Sequence, residues 1–136
     1  MADNFNTFKA AYGGVTSSAT GYVQPEQALI IAASDETSDI TTGDNKVKIR
    51  LPYAFNIDEV RASVSTAPTG SGITVSAVTG STTIGSVTIA AGATSAKTTV
   101  TQNLADESEI SINVSSVGST TAGTGLKVTL KGRKGD

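Results

Sequence analysis

The acidic side chains of this chain gather in two places: Asp35, Glu36, Asp39 and Asp44, and then Asp106, Glu107 and Glu109. Carboxylates grouped this way serve two kinds of chemistry. They hold a hard cation such as calcium, or a pair of them cleaves a glycosidic bond. Neither cluster has the D-x-D/N-x-D/N-G spacing of a calcium hand. No aromatic platform for a sugar lies in the alternating stretches of the chain. Solvated acidic loops are the reading that the spacing favours in both places.

Hydroxyls abound, with 21 Thr and 16 Ser, but the chain contains no histidine and no cysteine. A serine nucleophile therefore lacks its usual activating base. The commonest metal ligand and any thiolate site are missing as well. A Ser–Lys pair remains as a formal possibility that no local pattern supports. Gly118, Gly123 and Gly125 sit in a Ser/Thr loop with no lysine or helix following as a phosphate-binding loop requires. The expectation is a protein that is not an enzyme and carries no cofactor and no metal.

Charge offers a different kind of site. Lys46, Lys48 and Arg50 form one basic row, and Lys127, Lys131, Arg133 and Lys134 form another. Outward lysines commonly blunt a sheet edge against aggregation; the functional alternative is contact with an acidic partner surface. No aromatics interleave with either row to stack on bases, and the net charge is −2, so nucleic acid is not expected as a partner. No stretch approaches the roughly 18 apolar residues of a membrane span, so no membrane is expected either. The opening MADNFNTFKAAYGG has an early acid and no apolar run, unlike a secretory signal.

These rows have to be carried by strands. Val47, Ile49 and Leu51 point one way and Lys46, Lys48 and Arg50 the other. After a corner at Pro52-Tyr53-Ala54-Phe55 the alternation restarts, with Val60, Ala62 and Val64 inward and Arg61, Ser63 and Ser65 outward. Leu29–Ala33, Ile73–Val78, Ile84–Ala90, Ala96–Thr101, Glu109–Ser115 and the Leu126, Val128, Leu130 set add further strands. Pro68-Thr69-Gly70-Ser71-Gly72 and Thr79-Gly80 read as turns. About eight strands at short spacing predict an all-β, jelly-roll-like antiparallel sandwich, since one open sheet would leave long edges exposed. The 136 residues suffice for one such domain with a real core. Many outward positions are Ser and Thr where a monomer usually carries Lys and Glu, a surface that other protein covers at low desolvation cost.

Residues 1–27 differ in character from residues 28–136. Phe5, Phe8, Tyr12 and Tyr22 are four of the six aromatics. Phe5, Phe8 and Tyr12 are spaced to share one face of a short helix that Gly13-Gly14 would end. The expectation is an N-terminal arm, 1–27, whose apolar groups bury against something, either its own domain or a partner, followed by a sandwich, 28–136.

The run SDETSDITTGDNKVKIRLPYAFNIDEVRASVSTAPTGSGITV resembles a recurrent module of tailed-bacteriophage virion structural proteins. LADESEISINVSSVGSTTAGTGLKVTLKGRK is similar to that module's ending. The PYAF corner, the VRAS and TAPTG strings and the VGSTTAGTGLKV segment carry the likeness, which spans roughly Ala33 to Arg133. The chain departs from the pattern at Ser76–Gly80, where many members have a charged or polar segment. The resemblance implies a non-enzymatic component of the virion, made in a bacterial cytoplasm and ending at the capsid surface. It implies a capsid decoration, or cement, protein whose partner is the major capsid protein. The alternative is a tail- or head-fibre module that binds a host receptor or glycan through its end loops. With no fibre shaft in the sequence, decoration is the expected member, and by analogy the oligomer is a homotrimer. Phe5, Phe8 and Tyr12 are the expected anchors on the shell, with Lys46, Lys48 and Arg50 as a secondary electrostatic patch.

Overall fold

A computed structural model describes residues 25–135. Eight strands succeed one another: β1 Glu26–Ala32, β2 Gly43–Arg50, β3 Phe55–Ser63, β4 Ile73–Thr79, β5 Thr82–Ile89, β6 Ser95–Leu104, β7 Glu109–Ser116 and β8 Lys127–Lys134. They form two antiparallel four-stranded sheets, ordered β1-β8-β3-β6 and β2-β7-β4-β5. Consecutive strands mostly alternate between the sheets and the last strand inserts beside the first. This is the wrapped topology of a jelly roll, and the all-β sandwich expected from the alternation is the fold observed.

The core follows from period-2 patterning. Ile57, Val60 and Leu130 from the first sheet meet Ile73, Val75, Ile110 and Ile112 from the second, all at most 1% exposed. Phe55, the one fully buried aromatic among the described residues, closes one end of this layer. Each fully buried branched aliphatic contributes about 1.5–3 kcal/mol relative to exposure. The edge strand β2 is thinner, since Val47 and Ile49 pack only partly against the core.

Several elements extend beyond their sequence-read limits. β1 begins at Glu26 because Glu26 and Gln27 pair with Arg133 and Gly132 of β8. β3 begins at Phe55, five residues before the alternation becomes clean at Val60. Phe55 and Ile57 are buried, and so are Val60 and Ala62, so the phase slips by one residue at Asp58-Glu59. There the register changes against both β6 and β8, leaving an extra residue on β3 relative to β8. A β-bulge of this kind re-aims the side chain that follows it. Gly132 makes it possible: a Cβ at that position would lie 2.0 Å from the Asn56 carbonyl oxygen.

Gly85, which interrupts the alternation of β5, has a related cause. A Cβ there would press to 2.8 Å of Val100 and 3.1 Å of Val60, so its absence lets β5 close down on the opposite sheet.

Candidate interaction surfaces

The two ends of the sandwich are built from the strings that are most recognisable in the sequence. At one end the Pro52–Phe55 corner is clamped from three sides. The Tyr53 hydroxyl donates to Gln27 Oε1, its ring meets Phe55 edge-on at 6.3 Å, and the Lys134 ammonium lies 5.9 Å from its centroid. At the other end TAPTG is laced to VGSTTAGTG. The Thr69 N–H donates to the Thr121 carbonyl at 3.0 Å, the Thr120 N–H donates back to Thr69 at 3.0 Å, and the Ser65 N–H reaches Thr124 at 2.8 Å. The Ile40 and Gly125 N–H groups bond to the carbonyls of Gly123 and Asp35. Backbone spends its hydrogen bonds on backbone here, which holds both strings in fixed conformations.

Beside that lacing stands the closest approach to a chemical constellation. Glu36 accepts from the Ser65 hydroxyl and the Lys127 ammonium. Hydrogen bonds from Lys127, and next from Ser65, hold the Glu36 carboxyl below the usual glutamate range. A carboxylate made less basic and salt-bridged to Lys127 is a poor base for the serine. The trio locks the acidic loop to β8. Asp35 makes a tight turn in the same loop, accepting from the Ser38 and Thr37 N–H groups at 2.6 and 3.0 Å. Those bonds, Ser38 first, lower its pKa. No group of three or more acidic or other metal-ligating side chains among the described residues is placed to hold a metal.

The basic row on β2 is partly neutralised. Lys48 and Arg50 approach Glu109 of β7 at 3.9 and 3.7 Å, Arg50 also donates to the Glu107 carbonyl at 3.1 Å, and Lys46 donates to Thr41. Lys46 follows Asn45, whose φ of 54° marks an irregularity in the strand. The three cations are thus held, but all three side chains remain at least partly exposed. Phe5, Phe8 and Tyr12 lie outside the described residues.

Sequence reasoning missed the outer face of the first sheet. Re-aimed by the bulge, Glu59 stands among three cations: Arg61 Nε at 2.6 Å, and Lys97 and Lys131 Nζ each at 3.9 Å. Its side chain is only 13% exposed. The Arg61 hydrogen bond, and after it the neighbouring charges, lower its pKa against the opposing effect of partial burial. Glu26 extends the network to Lys131 and Arg133. A half-open depression of about 540 Å³ adjoins it, lined by Arg61, Lys97, Ser63, Ser95 and Thr129 among others. The legible signal was the three-residue gap between Ile57 and Val60, which forces a bulge.

The outer face of the second sheet divides in two: Lys48, Arg50 and Glu109 charge its β2 edge, and short neutral groups cover the rest. Thr74, Ser76, Ser86, Thr88, Ser111, Asn113 and Ser115 make up that neutral part, towards β4 and β5. Thr74 and Thr88 share a hydrogen bond of 3.2 Å across β4 and β5, and Ser76 donates to Ser86 at 3.3 Å.

No protein-family model matches the chain, and no curated protein matches it. Among solved structures it is similar to a chain of the cyanophage Pam1 capsid asymmetric unit, with TM-score 0.53 and 18% identity over 89% of this chain and 93% of that one. It is also similar to the VP2 subviral particle of infectious bursal disease virus, with TM-score 0.43 and 12% identity over 88% of this chain, which spans 36% of that protein. A third, the Drosophila NLP core, has TM-score 0.41 and 14% identity over 82% of this chain. At these identities the first comparison shows a shared fold: the eight-stranded sandwich corresponds nearly end to end with the cyanophage chain.

Proposed function

We propose that this chain is a structural component of a phage virion, a decoration protein that binds the outside of the capsid and holds neighbouring shell subunits together. The observation that carries the reading is the near end-to-end correspondence of the jelly roll with a chain from a cyanophage capsid. The family strings agree with it, since they build the two ends of the sandwich and not a reaction centre. Each copy contributes a modest contact, and many copies sum to resist internal pressure.

The arm is the proposed anchor, through Phe5, Phe8 and Tyr12. Lys46, Lys48 and Arg50 give a secondary electrostatic contact with the major capsid protein, and the uncharged hydroxyl patch across β4 and β5 on the same sheet offers a surface that protein covers cheaply. Deleting residues 2–14 tests the anchor: shell occupancy is lost while the circular dichroism of the sandwich is retained. Unchanged occupancy on the virion overturns the arm's role.

A further inference from the structure

Among the described residues four strands end a sheet, and three of them are blunted. In β2 the stretch from Gly43 to Val47 faces only Val114 to Ile112, and Lys46, Lys48 and Arg50 line it. β5 slips register against β4 at Ala77/Val78, and β6 slips against β3 at Ile57/Glu59. Bulges and charges of this kind keep an edge from pairing with another chain. β1 has no bulge and no cation, and its single charge, Glu26, sits at its first residue. Its register with β8 runs unbroken from Glu26 to Ala32, it contains no Lys or Arg, and Ile30 on its outer face is 68% exposed.

The direction of its free hydrogen-bonding groups follows from one bond. The Ala33 N–H donates to the Leu126 carbonyl at 2.8 Å, towards the β8 side. Alternate residues of an antiparallel strand turn their amide and carbonyl to opposite edges. The groups of Ala28, Ile30 and Ala32 therefore face outward, with no strand beyond them among the described residues.

We propose that β1 is a two-fold seam, onto which β1 of a second copy adds antiparallel with Leu29 across from its counterpart. The register is chosen by the strand itself. It uses all of Glu26–Ala32 and sets the exposed Ile30 beside the small Ala28 of the second copy. It also places the strand's one charge, Glu26, across from Ala32, so like charges never meet. Both outward-facing backbone rows are satisfied in the same step. The inference stands independently of the virion reading. A two-fold seam builds dimers and even-numbered assemblies in place of the trimer that the resemblance implies.

The chain has no cysteine, so a single introduced one reports alone. The full chain sediments as a dimer, or as an even-numbered assembly of dimers, and Leu29→Cys becomes a disulfide-linked dimer on mild oxidation, since residues directly opposite lie about 4.5–5.5 Å apart. Ala32→Cys stays unlinked, because the two introduced thiols sit about 20 Å apart along the seam. Ile30→Lys weakens association at least tenfold with an unchanged circular dichroism spectrum. A monomer or trimer at every concentration overturns the seam. So does linkage at Ala32→Cys and not at Leu29→Cys, or association indifferent to Ile30→Lys. A monomer whose Ala28 and Ile30 amides resist hydrogen exchange overturns it too, and shows the edge covered by the chain's own N-terminal residues.

Discussion

The outward face of the first sheet and the β4–β5 side of the second are made by the same alternation and have opposite chemistry. On the first sheet a bulge turns Glu59 into the middle of Arg61, Lys97 and Lys131, and Glu26 carries the network on to Arg133. Across β4 and β5 of the second sheet hydroxyls bond to hydroxyls, and that sheet's charges, Lys48, Arg50 and Glu109, stay at its β2 edge. A face of paired charges is stable in water and costly to desolvate. A face of short neutral groups that both donate and accept loses little when another protein covers it. The difference separates a region that is costly to cover from one that is not.

The comparison breaks most sharply at Gly132. Gly132→Val drives a side chain into the Asn56 carbonyl, removes the bulge and dissolves the Glu59 cluster, destabilising the fold by about 3 kcal/mol or more in urea titration. Acid acts on the same face. The lowered pKa values of Glu59 and Glu36 mean that folding stability is full above the ordinary glutamate range and is lost as pH falls through it towards the folded-state values. Melting temperature therefore drops on acidification, and Glu59→Gln flattens part of that acid limb while lowering the neutral-pH value. On β2, Glu109→Ala removes one exposed partner of Lys48 and Arg50 and costs no more than about 1 kcal/mol. Ser76→Ala on the hydroxyl side changes stability by within about 0.5 kcal/mol, the small cost of an exposed hydroxyl pair set against the first sheet's ion cluster.

Much of the fold was legible in the sequence because burial on one face of a strand writes itself as alternation. Glu109–Ser116 is the clearest case: Ile110, Ile112 and Val114 are buried as their spacing demands. Where the phase slips, the pattern misleads. Pro52–Phe55 read as a corner and the alternation as clean only from Val60, because Ile57 and Val60 cannot both face inward on a regular strand, and only the bulge reconciles them. The ion cluster was illegible for the same reason, since Glu59 and Lys131 meet through a pairing of distant strands. The basic row at Lys46, Lys48 and Arg50 was readable as a row, but its neutralisation by Glu109 depends on β7 lying alongside. The recognisable strings were read as signs of a family. The structure gives them a physical task as well, since they tie off the two ends of the sandwich.

The most direct test of the account is the number of copies of this chain per virion, measured by quantitative mass spectrometry against the major shell protein. Decoration of a symmetric shell predicts a fixed ratio to that protein, on the order of hundreds of copies per particle. A few to a few tens of copies, on the order of a tail or fibre component, would contradict it and turn attention to the loops at Pro68–Gly72 and Gly118–Gly125 as the site of recognition.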